Sequence, residues 1–439
     1  MERAMRQPLT YVLVINWNGI GHLAECFDSL LAGSYPKTRF VLIDNASTDG
    51  SVAFVRERYG NDPRVDILEL PENVGWSRGN NAGIEFAMKA GADYIFLLNN
   101  DTATEPGAVA NLVAMAEAHP EAGALAPKML MYDNPAILNS IGVECSIIAS
   151  SWDRGIGRLD GPRWDETAPV LAACGGAAFF RVEALRKAGV LPVDFDIYLD
   201  DLDLGLRIWN AGYQVLTCPS ARVRHKFSAT MGKGGAAKRK YYLNTRNRAY
   251  VIMRNFPLSR WPIVKLAFLV GEMRAIGRAL LDGAWWRAMA HMRAWGAAIT
   301  YAPSAARERM RRWRAGQSRC RFWPLIRKDR LFFRGVEFPE NGWYAECNGL
   351  RPISARARLR VNAGRLRVVS VNCYPACGAV SIEVLAQGQR VTVFETRDRD
   401  EYVLETSAGE LEFVARRIFY AEETGEPADY GGWLAVELV

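Results

Sequence analysis

Tyr11-Val-Leu-Val-Ile15, closed by Asn16-Trp-Asn18, is a β-branched apolar run with no polar alternation that ends abruptly in amides. A strand of that kind is buried on both faces, as in parallel sheets whose crossovers are helices. Working outward, a helical pattern runs from Leu23 to Leu31, and Arg39-Phe-Val-Leu-Ile43 forms a second apolar run ending at Asp44-Asn45. Asp49-Gly-Ser51 opens another helix, with Val52 and Val55 expected on its inner side. Val65-Asp-Ile-Leu68 and Tyr94-Ile-Phe-Leu-Leu98 are the third and fourth runs, with a helix between them. This alternation over residues 10–127 predicts an α/β, Rossmann-like domain around a parallel sheet. Ligands in such sheets bind beyond the carboxyl ends of the strands. Asn16-Trp-Asn18, Asp44-Asn45 and Asn99-Asn-Asp101 fall at three of those ends and are expected along one rim.

Residues 128–250 are less regular, with a small-residue turn at Cys174-Gly-Gly176 and an acidic helix at Asp200–Asn210. Residues 251–315 read as amphipathic helices, and from Leu331 to Val439 alternating strands predict an all-β sandwich. The expected organisation is a catalytic domain over 1–255, a basic helical segment over 256–330 and a β domain over 331–439. The 439 residues contain no apolar run of the roughly 18 residues that a membrane span needs. The polar Met1–Thr10 lacks the apolar core of a signal peptide, so a cytoplasmic protein is expected. Eight scattered cysteines without paired CxxC spacing are expected to be reduced, and they argue against a structural zinc site.

Three constellations carry chemistry. In Tyr198-Leu-Asp-Asp-Leu-Asp-Leu-Gly-Leu-Arg-Ile-Trp209, Leu202, Leu206 and Trp209 share one face, and Asp200, Asp201 and Asp203 crowd the first turn. The carboxylates either complement the helix dipole or supply a general base whose pKa its neighbours raise. Gly175 and Gly176 could let an acceptor approach that base. In Leu97-Leu-Asn-Asn-Asp-Thr102, Asp101 suits a cation that neutralises a departing diphosphate, or is an ordinary turn residue. Pro71-Glu-Asn-Val-Gly-Trp-Ser-Arg-Gly-Asn-Asn-Ala-Gly83 offers backbone N–H groups and a helix N-terminus to phosphate, but matches neither a P-loop nor GxGxxG. His225 is a lone histidine after the strand-like Gln214–Cys218, a structural residue or a ligand.

The order of these blocks resembles the family 2 inverting glycosyltransferases of the GT-A fold, in the rhamnosyltransferase-like and galactofuranosyltransferase-like branch. Val14-Ile-Asn-Trp-Asn18, Leu42-Ile-Asp-Asn-Ala-Ser-Thr-Asp-Gly-Ser51, Glu72-Asn-Val-Gly-Trp76 with Asn80-Asn-Ala-Gly83, Leu97-Leu-Asn-Asn-Asp101 and Tyr198-Leu-Asp-Asp-Leu-Asp-Leu204 carry it, over roughly residues 8–255. The resemblance implies that Asn16 and Asp44 line the donor site, with Asp44 on the pyrimidine. It implies that Asn73 and Asn81 shape the pocket, and that Asn99-Asn100-Asp101 stands at the DXD position. Asp101 and His225 would bind a divalent metal, Mn²⁺ or Mg²⁺, and Asp201, beside Asp200, would be the base. Two departures stand out: Asn99 replaces the first acid of DXD, and Asp200 is one methylene shorter than the usual Glu. The implied donor is a UDP- or dTDP-linked sugar, rhamnose or galactofuranose, and the implied acceptor a glycan or lipid-linked glycan of the cell surface. Asn99 also leaves open a non-catalytic, binding-only protein. A nucleotidyltransferase is disfavoured because Asn16-Trp-Asn-Gly19 carries no Lys or Arg.

Charge points to a second partner. Of the formal net +7, the segment Tyr301–Arg330 carries ten Lys/Arg against Glu308 and Asp329, so the remainder is close to neutral. Arg307-Glu-Arg-Met-Arg-Arg-Trp-Arg314, with Trp261, Trp285, Trp286 and Trp295 before it, is the composition of a helix lying on an anionic membrane, or of a solvated helix packed on the catalytic domain. The membrane reading puts the protein at the inner face of the cell membrane. Nucleic acid is the least favoured partner. In the β domain, Trp343, Tyr344 and Trp433 are expected mainly as core aromatics.

Overall fold

The computed structural model describes residues 7–33, 35–158, 160–226, 235–318, 320–329 and 331–332. In the C-terminal part it describes 351–353, 356–361, 364–371, 380–387, 389–396, 399–406, 409–415 and 432–438. The chain forms two compact units. The first holds the chain through Tyr132, Ser140–Arg154, and the chain from Arg163 through the helices that follow.

Its first half builds as the apolar runs dictate: β1 (Thr10–Asn16), α1 (Ile20–Ala32), β2 (Thr38–Asp44), α2 (Ser51–Tyr59), β3 (Val65–Glu69), α3 (Trp76–Lys89) and β4 (Tyr94–Asn99). β1 pairs in parallel with β2 and β4, and β2 with β3. Val12, Leu13, Val14, Phe40 to Ile43 and Ile95 to Leu98 are buried, because helices cover both faces. β3 is the edge and only half-buried, which explains its polar Asp66. On α2 the inner residues are Val55 and Tyr59, whereas Val52 is only half-buried.

The sheet then becomes mixed rather than wholly parallel. β5 (Thr102–Thr104), α4 (Ala108–Ala118), β6 (Ala122–Met131), β7 (Leu138–Ser140), β8 (Val143–Cys145), β9 (Ser151–Asp153), β10 (Ala177–Arg181), α5 (Val182–Ala188), α6 (Asp200–Asn210) and β11 (Gln214–His225) follow. The path β3-β2-β1-β4-β10-β6-β11-β5 places β10 antiparallel between β4 and β6. That strand brings the end of Cys174-Gly-Gly176 beside β4, with Asn99 N–H bonded to Gly176 O at 3.0 Å. β11 runs past the predicted Cys218 to His225 through a bulge between Cys218 and Arg222, and pairs His225 with Thr102.

Three helices close this unit: α7 (Gly235–Asn255), α8 (Trp261–Leu281) and α9 (Trp285–Arg314). They are pinned by a buried polar cluster. Glu272 of α8 accepts from Arg248 of α7 and from Trp295 of α9 (2.9 Å), and lies 2.7 Å from His291 Nδ1. Burial opposes the charge on Glu272, but the His291 and Arg248 contacts outweigh it and hold its carboxyl below the usual range. Among the described residues no helix is long and apolar enough to cross a membrane.

The second unit contains β12 (Arg351–Ile353), β13 (Arg356–Val361), β14 (Gly364–Val371), β15 (Val380–Ala386), β16 (Gln389–Thr396), β17 (Arg399–Thr406), β18 (Gly409–Ala415) and β19 (Gly432–Leu438). They form two four-stranded antiparallel sheets, β12-β19-β14-β17 and β13-β18-β15-β16. Phe394 of one sheet stacks on Tyr402 of the other at 4.2 Å, and Val368, Ile382, Val384, Leu411 and Phe413 are buried. The sheets therefore make a sandwich separate from the α/β unit. Trp343, Tyr344, Cys347, Cys373, Cys377 and the Trp433 side chain lie outside the described residues. The five described cysteines are free thiols.

Candidate active site

The carboxyl ends of β1, β2 and β4 converge, as in-register pairing of Asn16 with Asp44 and of Ile15 with Asn99 requires. Asn16 donates to Asp44 Oδ1 and to Ser47 Oγ, each at 3.1 Å, and accepts from Asn100 Nδ2 at 2.6 Å. Ser47 N–H closes the chain on Asp44 Oδ2 at 2.9 Å. Asn16 and Asp44 are thereby fixed while buried, where unpaired polar groups would be costly. Gly19 makes this possible, since a Cβ there would lie 2.0 Å from Asn100 Nδ2.

Asn73 and Asn81 brace the backbone. Asn45 donates to Asn73 Oδ1 (2.9 Å) and accepts from Val74 N–H (2.9 Å), tying β2 to the loop ahead of α3. Asn81 exchanges two bonds with the Leu191 backbone, at 2.9 and 3.0 Å, so both halves of its amide are engaged there rather than toward Asp44. Its neighbour Asn80 is fully buried and donates to Trp76 O.

Asp101 and His225 meet across β5 and β11, with His225 Nε2 3.3 Å from Asp101 Oδ1. That oxygen is buried and accepts no well-aligned hydrogen bond. Burial raises the Asp101 carboxyl, but the His225 contact and its charge more than offset this and leave it below the usual range. An ionised, under-coordinated oxygen beside an imidazole fits a hard divalent cation. Among the described residues no group of three His, Cys, Asp or Glu could hold a metal ion. A Cβ on Gly176 would sit 3.5 Å from Asn99 Nδ2 and 3.6 Å from His225 Cε1, so the turn reaches this same point.

Gly175 links this point to the acidic helix. Its N–H donates to Asp201 Oδ2 at 3.1 Å, and a Cβ there would strike the Trp76 ring at 2.8 Å. Trp76 in turn donates from Nε1 to Asn99 Oδ1 at 3.2 Å. Asp200 is buried and accepts from Ser77 Oγ at 2.8 Å, whereas Asp201 keeps partial exposure. Both carboxyls are pushed above the usual range, first by loss of solvation and, for Asp201, next by the Asp200 charge.

The third acid of the helix faces elsewhere. Asp203 accepts from Arg207 (2.7 Å), Arg254 (2.9 Å) and Asn255 (2.7 Å). Although burial opposes its charge, these guanidinium groups hold it well below the usual range. Arg312 donates to Asn255 Oδ1 at 2.8 Å, and Arg309 caps α7 through Met253 O and Phe256 O. Two of the five arginines in Arg307–Arg314 thus serve the packing of α9 on α7 and are not available to a membrane.

The sequence reading missed several residues. Asp153, on β9, contributes a like charge to both Asp201 and Cys174, and burial raises its own carboxyl. It stands in an irregular stretch with no periodic signal. Asn247 of α7 donates to Phe195 O, Ile197 O and Tyr198 O at 3.0, 3.1 and 2.8 Å. It clamps a loop in which Asp196, Tyr198 and Leu199 all have positive φ, a conformation costing about 1–3 kcal/mol per non-glycine residue when nothing holds it. That loop delivers Asp200 and Asp201.

A crystal structure of GalNAc-T7 with UDP, GalNAc and Mn²⁺ is similar at a TM-score of 0.49 and 15% identity, covering 65% of this chain and 55% of that one. Over 249 residues the chain is 26% identical to N-acetylglucosaminyl-diphospho-decaprenol L-rhamnosyltransferase of Mycobacterium tuberculosis, covering 52% of this chain and 78% of that protein. Over 254 residues it is 25% identical to galactofuranosyltransferase GlfT1 of the same organism, covering 55% and 81%. Residues 11–189 match the model of glycosyl transferase family 2 and contain the rim of Asn16, Asp44 and Asn99–Asp101. Residues 11–189 therefore form a domain that matches glycosyl transferase family 2, built on the mixed α/β sheet described above.

Proposed function

We propose that the protein transfers a glycosyl group, with inversion, from a nucleoside diphosphate sugar to a hydroxyl of a lipid-linked or polysaccharide acceptor in cell-surface glycan synthesis. The observation that carries this is the chain of contacts Asp101–His225, Asn99–Trp76 and Gly175–Asp201. It sets a cation-competent pair and a raised-pKa carboxylate on two sides of one small-residue turn. Asp201, partly exposed, takes the proton from the acceptor hydroxyl. The oxygen attacks the anomeric carbon, the bond from that carbon to the diphosphate oxygen breaks, and the nucleoside diphosphate leaves. Asp44 and Asn16 orient the nucleoside. Asp101 and His225 would hold Mn²⁺ or Mg²⁺, which when bound neutralises charge on the diphosphate. The names of the two mycobacterial relatives support rhamnose or galactofuranose as the sugar, and a lipid-linked acceptor supports work at the inner face of the cell membrane.

The first test is calorimetric titration of UDP and dTDP, with and without Mn²⁺, on the protein and on Asp101→Ala. Metal-enhanced binding that the substitution removes is expected, and the tighter base identifies the donor. A folded protein that binds neither nucleotide would point to a binding-only role with a decayed site. The clamp on the acidic helix gives a second expectation. Asn247→Ala should lower kcat by about tenfold or more, since losing buried bonds costs about 1–3 kcal/mol. Nucleotide affinity should stay within twofold, with Asn247→Asp or Asn247→Gln restoring only part of the rate. An unchanged kcat would remove Asn247 from any positioning role.

A further inference from the structure

α8 and α9 bury only one side each. On α8, Val264, Gly271, Glu272 and Ala279 face the protein, while Ile263, Leu266, Val270, Met273 and Leu280 form an exposed stripe at spacings of three, four, three and seven residues, the repeat of one helix face. On α9, Trp285, Met289, Met292, Ile299, Met310 and Trp313 form a second stripe of the same period, with Trp285, Ile299 and Trp313 at 68%, 75% and 66% exposure. Both stripes start at the turn joining the helices, where Leu280, Leu281 and Trp285 are all exposed. Large apolar side chains exposed in this number on one helical hairpin mark a docking site.

Charge decides what docks. From residue 261 to residue 314 the exposed charged side chains are eight Lys/Arg against one acid, Asp282. Arg274, Arg293, Arg311 and Arg314 each follow a stripe residue directly and so flank the apolar strip. A second copy of the chain would oppose like charges across the contact, whereas an anionic bilayer offers both a hydrocarbon boundary and counter-charge. Tryptophan at both ends of the α9 stripe suits the depth of lipid headgroups.

We infer that the α8–α9 hairpin is a membrane-docking face, lying flat with its tip and both stripes in the headgroup boundary of an anionic bilayer. This deepens the proposed function by assigning the surface that would hold the site beside a lipid-linked acceptor. It relocates the membrane contact from the Arg307–Arg314 run to the whole hairpin, since Arg309 and Arg312 are committed to α7. Binding combines burial of the stripe with attraction to the headgroups, so it weakens as salt rises.

The full chain is mixed with vesicles of phosphatidylglycerol and phosphatidylcholine, and with vesicles of phosphatidylcholine alone, and sedimented. Binding to the anionic vesicles at least tenfold above the neutral ones is expected. Leu281→Glu with Ile299→Glu should abolish it, and Arg293→Glu with Arg307→Glu should reduce it about tenfold. All four positions are solvent-facing, so UDP binding by calorimetry should not change, which separates failure of the docking face from failure of the donor site. No binding to anionic vesicles overturns the inference. So does sedimentation velocity in which Leu281→Glu with Ile299→Glu turns a dimer into a monomer while vesicle binding persists, because a second copy would then be the occupant.

Discussion

Asp201→Asn should cut turnover by roughly a thousandfold, the mid-range contribution of a general base, while leaving UDP or dTDP affinity unchanged. The amide keeps the size of the carboxyl and can still accept from Gly175 N–H, so the turn and Trp76 should hold their places. What disappears is the proton acceptor. Asp200→Asn should have a smaller effect on rate, because that carboxyl is buried against Ser77 and acts on its neighbour by charge. The pH profile supplies an independent check. Loss of solvation and the Asp200 charge raise the Asp201 pKa, so kcat should climb with pH across a midpoint above the ordinary carboxylate range of about 4. Removing the Asp200 charge should move that midpoint down.

Stability runs the other way. A carboxyl whose folded pKa is raised stabilises the fold below its unfolded pKa, and that stabilisation is lost as pH rises through the folded value. At neutral pH Asp201→Asn should therefore melt no lower than the parent. Turnover within tenfold of the parent, or a rate that does not rise with pH, would remove Asp201 from the role of base.

How far the sequence reveals this molecule depends on whether a signal is local. The strands β1, β2 and β4 are continuous apolar runs, and their polar ends are fixed by register. Asn16, Asp44 and Asn99–Asp101 are therefore legible in the sequence as one rim. The acidic helix was readable too, down to Asp200 as its first residue. What stayed hidden are contacts whose partners are far apart in the chain. Trp76 reaching Asn99, Gly175 opening space for Trp76 and Asn247 gripping the 195–198 backbone leave no period or motif behind. Mixed pairing was hidden for the same reason. β10 carries an ordinary apolar run, and only its insertion between β4 and β6 makes the sheet antiparallel there. The direction of Arg309 and Arg312 depends on the register of α9 against α7, which composition cannot supply.

Asp203 is the sharpest instance, and its removal should have the largest effect on stability. In sequence it is the third of three crowded acids, alike in kind to Asp200 and Asp201. In the fold it is fully buried and accepts from Arg207 of its own helix and from Arg254 and Asn255 of α7. Arg254 continues to Tyr301, and Arg312 to Asn255, so one carboxylate ties α6 to α7 and α9. Asp203→Leu leaves those guanidinium groups buried without their counter-charge, and breaking a buried pair in this way costs about 3–5 kcal/mol. The first unfolding transition of Asp203→Leu in urea should shift accordingly, and Asp203→Leu with Arg254→Met should recover part of the loss, since the pair is then removed together. Because the folded pKa of Asp203 is depressed, its contribution is complete above the unfolded value near 4 and is lost as the pH falls further. The difference between the parent and Asp203→Leu should therefore narrow in acid. A loss below about 1 kcal/mol at neutral pH would mean that α6 is anchored by its apolar face alone. Asp200 and Asp201 would then owe their placement to Leu202, Leu206 and Trp209 rather than to this ionic cluster.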